Sequence, residues 1–265
     1  MEAKLSPVNV IEETDFPNAW ARAVQFVINN GVEIVFGGPN KNDRTKIERK
    51  TAKDSRQIIV LTGQAIVQVL SFQTHPKFKT KDIDFLRTYC RQLTREGVAA
   101  WSALPEGDLH KSAYNYLELI VNYPRIFGPG TIDQMQILKE NLAEQIQHNI
   151  VSNRTQAITW QPEKHAKDHE PPCLQRIQVR YLGVDEKGRD VVEVEYNWRS
   201  RDLYNAWPSN EICVTAAVNH EVIIPNNCII TRIIDYSTSL HIYQGDWDEA
   251  KGVKPLATNP QTFRR

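Results

Sequence analysis

The chain has no surplus of either charge: lysine and arginine together number 32, and aspartate and glutamate together number 32. Without a basic excess there is no broad field to draw in nucleic acid or an anionic membrane, so any anion site must come from a few positioned arginines. Long apolar runs are also missing, and none approaches the ~20 residues that a bilayer-spanning helix needs. The opening stretch MEAKLSPVNVIEE lacks the basic-then-apolar pattern of a secretory leader. These absences predict a soluble, cytoplasmic protein that engages neither nucleic acid nor membrane. Cysteine is sparse. Cys90, Cys173, Cys213 and Cys228 stand far apart with no CxxC pair, which argues against a zinc site or a redox dithiol and for reduced thiols. His110, His165 and His169 fall in loops without metal-ligand spacing, so no metal is expected.

What is present reads as one mixed domain. Asn18 is a candidate cap for a helix over AWARAVQFVIN that stops at Asn29-Asn30-Gly31. GVEIVFGG reads as a strand, and Pro39 to Ser55 as a charged loop. RQIIVLTG and AIVQVLSF are apolar segments whose type periodicity leaves open. Helical patterns cover Asp82 to Arg95, Ser112 to Val121 and Ile132 to Asn149. Beyond Asn149 the chain turns β-rich: AITW, then LQRIQVRYL and DVVEVEYNW joined by a DEKG turn, then a helical stretch from Asp202 to His220. A β-branched run, CIITRIIDYS, and a short helix around HIYQGDWDEA follow. No repeat or low-complexity linker divides residues 1–265. The expectation is a single α+β domain, a large mixed β-sheet flanked by helices, with the first ~17 and last ~14 residues loosely ordered.

Chemistry is suggested at two places. Cys173 follows two prolines and precedes a strand in which Ile177, Val179 and Tyr181 alternate with Arg176, Gln178 and Arg180. By residue type a single cysteine is more often a packed small hydrophobe, and Cys90, Cys213 and Cys228 read that way. A nucleophile needs a neighbour that favours its thiolate. NWRSRDLYNAWPSNE offers one: Arg199 and Ser200 at a strand end make a plausible phosphate grip. Asn210 brings an amide able to read a nucleobase edge. Alone, each is a cap or surface group, and His241 and Tyr243 are packing residues.

Together these features resemble the folate-dependent thymidylate synthase family, which includes the deoxycytidylate hydroxymethylases. Pro172-Cys173 with Gln175, RSRDLYNAWPSN from Arg199 to Asn210, and HIY from His241 to Tyr243 match its motifs in order. KNDRT (Lys41 to Thr45), IDQ (Ile132 to Gln134) and Arg154 before Trp160 are weaker echoes. The resemblance implies a thymidylate synthase-like fold and a homodimer. It implies that Cys173 adds to C6 of a pyrimidine so that C5 can take a one-carbon unit from 5,10-methylenetetrahydrofolate. It assigns Arg199 and Ser200 to the phosphate, with Arg44 from the N-terminal loop and Arg154 from the partner subunit. Asn210 would hold N3 and O4 of uracil, Asp202 and Ala206 would meet the folate, and His241 and Tyr243 would meet the 3′-hydroxyl.

Three departures from the family pattern stand out. Arg91 falls near the register where the family has a proton-handling glutamate, and Glu96 is the nearest downstream acid. The usual arginine pair reads Asn153-Arg154, and the apolar C-terminal segment that closes over folate is replaced by TNPQTFRR. The leading expectation is conversion of dUMP to dTMP, since an amide suits uracil and an aspartate would suit cytosine. A 5-hydroxymethylase of the same family and a non-catalytic nucleotide-binding paralogue are the rivals.

Overall fold

A computed structural model describes residues 5–39, 47–79, 82–105, 114–167 and 171–257. Arg44, assigned to the phosphate by resemblance, lies outside the described residues. In chain order, the strands are β1 (Val8–Glu13), β2 (Val32–Pro39), β3 (Ile47–Thr62), β4 (Tyr123–Pro124), β5 (Thr131–Ile132), β6 (Gln156–Ile158), β7 (Leu174–Val184), β8 (Asp190–Trp198), β9 (Arg201–Asp202) and β10 (Ile229–Tyr243). The helices are α1 (Phe16–Asn30), α2 (Gln64–Leu70), α3 (Ile83–Gln92), α4 (Arg95–Ala103), α5 (Tyr116–Val121), α6 (Gln134–His148), α7 (Pro162–His165), α8 (Trp207–Val218) and α9 (Trp247–Lys251).

One mixed sheet runs β1-β3-β10-β8-β7-β6, with β2 on β3 and β9 on β10. β10 is its hinge. It lies antiparallel to β3 and parallel to β8, and its register to β3 shifts between Ser237 and Leu240. Past that bulge β10 leaves β8 and pairs with β9, His241 opposite Asp202. A bulge of this kind bends a strand and re-aims the side chains beyond it. On β7, Ile177, Val179 and Tyr181 are buried as the alternation predicts. The opposite face carries Arg176 paired with Glu195, and Arg232 paired with Glu193.

Several elements differ from the sequence reading, each for an identifiable reason. The expected charged loop is strand from Ile47 onward. Its inward positions there include the polar residues Asp54 and Gln57, both buried, so the period-two apolar signal is interrupted. Ser6 and Ser239 donate to Asp54, at 2.6 and 2.5 Å, and Gln57 donates to Ser55 at 3.0 Å. Asp15, not Asn18, caps α1, accepting from the Asn18 amide. The helix then stops at Gly31, where a Cβ would press on the Val27 carbonyl oxygen. Asp82 to Arg95 is not one helix, because Thr94 caps a second one by accepting from Gly97 N–H at 3.1 Å. The segment left open, AIVQVLSF, is mostly α2. The helix expected from Asp202 begins only at Trp207, and His241 to Tyr243 belong to β10 rather than to a helix.

Both chain ends are more ordered than expected where they are described. Residues 8–13 pair in parallel with β3. Val253 is fully buried, and the Leu256 amide donates to Asn18 Oδ1 at 2.6 Å.

Candidate active site

A cavity of about 600 Å³ opens where β7, β8 and β9 end, walled on the other side by α3 and the stretch before α5. Cys173, Arg199, Ser200, Asp202, Ala206, Asn210, His241 and Tyr243 all line it. Residues from three sequence segments thus converge on one space.

Cys173 is half-buried, one residue before β7. Its carbonyl accepts from the Arg199 amide at 2.9 Å. The Arg199 guanidinium donates to the carbonyl oxygens of Pro171 and Pro172, at 2.6 and 3.1 Å. The two prolines narrow the backbone choices, and Arg199 ties the resulting turn to the end of β8. Of its five N–H groups these bonds use two, so the same guanidinium keeps donors for an anion. Ser200 borders the cavity beside it.

Opposite the thiol stand three tyrosines that sequence reasoning missed: Tyr89, Tyr114 and Tyr116. The Tyr114 hydroxyl is within hydrogen-bonding range of the Cys173 side chain and backbone. Burial and then the neighbouring thiol push its pKa up to about 12, so it stays protonated, a donor, at neutral pH. Its ring lies 5.2 Å from that of Tyr116, which sits edge-on to Trp198 at 5.6 Å. Burial raises the Tyr89 hydroxyl too. AYNY could have signalled this wall through its two alternating aromatics, but Asn115 between them reads as a helix cap. It does cap α5, accepting from Leu117 N–H at 2.9 Å.

Asn210, on the first turn of α8, donates through Nδ2 to Tyr89 Oη at 2.8 Å. Asp202 is placed differently from the helix start expected of it. Its carboxylate accepts from the amides of Tyr204 and Asn205, both at 3.0 Å, and shapes the turn that leads into α8. Burial raises its pKa, against those hydrogen bonds. Ala206 is the residue immediately before α8. Among the described lining residues Asp202 is the one carboxylate.

His241 is buried with its ring 4.6 Å from Phe36 and 4.8 Å from Tyr243. Burial drops its pKa to about 4, opposed by Asp54 and a Ser239 backbone contact. Its Nε2 is buried without a hydrogen-bond partner among the described residues. A neutral imidazole with an unmet nitrogen beside a cavity is a ready contact for a ligand hydroxyl.

Three residues singled out in the sequence lie outside this cavity. Arg154 is exposed before β6, where its Nε donates to Ser152 Oγ at 3.2 Å, and it is not among the residues lining this cavity. Arg91 is also exposed and borders a different cavity, while Tyr89 and Gln92 of the same helix face this one. Glu96 lies in the first turn of α4 and does not line the site. No cluster of three or more His, Cys, Asp or Glu side chains able to hold a metal occurs among the described residues. Nor is any described helix long and apolar enough to cross a membrane.

The thymidylate synthase family model matches residues 32–262. A Methanosarcina mazei protein named "Putative thymidylate synthase" is 23% identical over 257 residues, spanning 96% of this chain and 98% of its own. Proteins of the same name from Methanothermobacter thermautotrophicus and Methanothermobacter marburgensis are 31% and 29% identical over 128 residues. Each alignment covers 48% of this chain and 51% of the relative.

Proposed function

The chain belongs to the thymidylate synthase family, and from that premise we propose that it transfers a one-carbon unit to C5 of dUMP, giving dTMP. The observation that carries the reading is the convergence of Cys173, Asn210 and His241 on one cavity. A thiol, a base-reading amide and an unmet imidazole nitrogen are the three groups a nucleotide adduct needs. Cys173 Sγ adds to C6 of the ring. The C5–C6 electron pair moves towards O4, where an Asn210 N–H stabilises the charge, and C5 becomes the nucleophile. Once the one-carbon unit is attached, C5 gives up its proton to water, the C5–C6 double bond re-forms, and the Cys173–C6 bonding pair leaves with the sulfur as thiolate. Tyr114, a protonated donor beside the sulfur, is positioned to hydrogen-bond to the thiolate as it is released.

Arg199 and Ser200 serve the phosphate, and His241 with Tyr243 the 3′-hydroxyl. The 5,10-methylenetetrahydrofolate co-substrate supplies the one-carbon unit and its reducing equivalents. Asp202 and Ala206 fit it: Asp202 is a half-buried carboxylate on the cavity wall, suited to a pterin N–H donor, and Ala206 leaves room beside it. With no glutamate among the described lining residues, proton traffic at the ring falls to water held by the cavity's polar groups.

A homodimer is part of this reading. Arg154, exposed and off its own cavity, would reach the partner's phosphate. Arg154→Ala and Cys173→Ala are then each inactive. Mixed after subunit exchange, they recover up to about a quarter of the activity per site, because some heterodimers hold one intact site. No recovery would remove Arg154 from the partner's site.

The function itself is tested by tritium release from C5-labelled dUMP and dCMP, with and without methylenetetrahydrofolate. Folate-dependent release from dUMP with dTMP as product supports the synthase. Release from dCMP without reduction of the new carbon supports the hydroxymethylase. Nucleotide binding with no release supports the non-catalytic paralogue.

A further inference from the structure

We propose that Cys90 and Cys213 form a reversible disulfide by exchange with an anionic low-molecular-weight disulfide docked in the arginine-lined cavity beside Cys90, and that this link acts on the neighbouring Tyr89–Asn210 pair. The two sulfurs lie 2.8 Å apart, closer than unbonded sulfurs normally pack. Cys90 stands on α3 and Cys213 on α8, two helices packed against each other. Both thiols are free.

The pair is asymmetric in the way exchange requires. Cys90 is half-buried and opens on a cavity of about 290 Å³ lined by Phe72, Arg87, Arg91, Thr94 and His220, whereas Cys213 is fully buried behind it. The Cys90 S–H donates to the Cys213 sulfur; contact with Cys213 holds the Cys90 thiol below its usual range, while the Cys213 thiol is pushed up by the same contact and by burial. Cys90 is therefore the attacking thiolate and Cys213 the resolving thiol. Arg87 and Arg91 at the mouth favour an attacking anion and a carboxylate-bearing reagent alike.

In the first step the Cys90 thiolate attacks one sulfur of the small disulfide. That S–S bond breaks, and one thiolate leaves. The leaving thiolate takes the Cys213 proton, and the Cys213 sulfur attacks the Cys90 sulfur of the mixed disulfide, expelling the second small thiolate. Two protein thiols are oxidised by two electrons, and the reagent is reduced to two thiols.

The link falls close to the site. Tyr89 immediately precedes Cys90, Asn210 lies one turn before Cys213, and the two are hydrogen bonded at 2.8 Å. Shortening the sulfur separation to ~2.05 Å draws α3 towards α8 beneath that pair. The consequence for nucleotide rests on the function proposed above; the link itself does not.

The test uses the full chain carrying Cys173→Ser, so that the cavity thiol cannot react, with oxidised glutathione as the probe. After alkylation of remaining thiols, non-reducing peptide mapping should find Cys90 joined to Cys213, no retained glutathione, and full reversal by dithiothreitol. Cys213→Ser in the same background should trap glutathione on Cys90. Recovery of both cysteines as alkylated thiols, or a glutathione adduct on Cys90 that is never resolved by Cys213, would overturn the proposal. Arg87→Gln with Arg91→Gln should slow the reaction several-fold with oxidised glutathione but not with neutral hydroxyethyl disulfide. Equal rates with glutathione would remove the cavity's part. Oxidation should weaken dUMP binding several-fold. An unchanged affinity in a linked protein would sink the coupling, whereas no dUMP binding in either form would count against the proposed function and leave the link standing.

Discussion

Two arginines two residues apart, Arg199 and Arg201, divide the molecule into regions that obey different physics. Arg199 stands at the cavity, half-exposed, and spends its hydrogen bonds on the backbone that carries Cys173. Arg201 points into the core. Its guanidinium stacks 3.8 Å over the Trp198 ring and pairs with Asp235 and, at 3.3 Å, with Glu211, all three side chains essentially without solvent contact. One cation thus faces two carboxylates. Burial and the nearby Asp235 raise Glu211 well above its usual range, which favours a protonated Glu211 and a neutral cluster. The cavity keeps polar groups open for a ligand; the cluster beneath it closes its groups on one another. The first region is expected to govern turnover and the second stability.

The sharpest way to break that division is Cys173→Ser. A serine hydroxyl is too weakly acidic to add to the ring, so turnover should fall by at least about a thousandfold. The thermal midpoint and dUMP affinity should stay close to wild type. Retained turnover would end the covalent reading. Arg201→Met probes the other side. Removing the cation leaves the Asp235 carboxylate buried without a counter-charge, and breaking such a pair costs about 3–5 kcal/mol. Glu211→Gln keeps the shape and mimics the protonated side chain that burial favours, so it should stay within about 1 kcal/mol of wild type. Urea denaturation of both variants distinguishes a neutral cluster from one that needs both charges: a large loss in Glu211→Gln would mean that Glu211 is ionised.

A smaller effect is expected where the cavity reads its ligand. Uracil offers an N3–H donor and an O4 acceptor, which one amide satisfies, and cytosine reverses the order. Tyr89 Oη occupies one hydrogen of Asn210 Nδ2 and leaves the second, with Oδ1, for the base. A mismatched base leaves buried polar groups unpaired at about 1–3 kcal/mol, a roughly ten- to hundredfold preference for dUMP over dCMP. Asn210→Asp should move that preference towards dCMP in a calorimetric titration. Tighter dCMP binding by the wild type would promote the hydroxymethylase.

The cavity side was far more legible in sequence than the buried side. Cys173, Arg199, Ser200, Asp202, Asn210, His241 and Tyr243 sit in short motifs with fixed spacing, and one cavity gathers them. Tyr89 gave no signal because it reaches the site only through the packing of α3, and the AYNY pattern holding Tyr114 was masked by Asn115, which reads as a helix cap. Arg201 and Glu211 lay inside the quoted motif, yet charge in sequence reads as surface, and only the fold shows these two facing inward. β3 was half-read for the same reason: Asp54, Ser55 and Gln57 are buried polar residues that interrupt the inward face between Ala52 and Ile59. The sequence pattern finds groups whose partner is a ligand more readily than polar groups whose partners are each other.

His241 lies on the boundary between the two regions, and it gives the mildest test of the comparison. The ring is buried against Phe36 and Tyr243, with Asp54 the nearby carboxylate and Ser239 its close polar neighbour. Its pKa falls from 6.5 to about 4 because burial outweighs the attraction of Asp54. The unfolded chain therefore binds a proton at a higher pH than the folded one. Stability from this group is complete above about pH 6.5 and drains as the pH falls towards about 4. Between roughly pH 7 and pH 5.5 the loss amounts to about 1 kcal/mol. His241→Gln keeps a polar group at the cavity but cannot titrate, so its stability should decline less over that interval, by the same ~1 kcal/mol. Urea midpoints of the two proteins at both pH values measure the difference. Parallel declines would mean that the ring charges without penalty, which would place His241 with the open, ligand-facing groups rather than at the edge of the closed core.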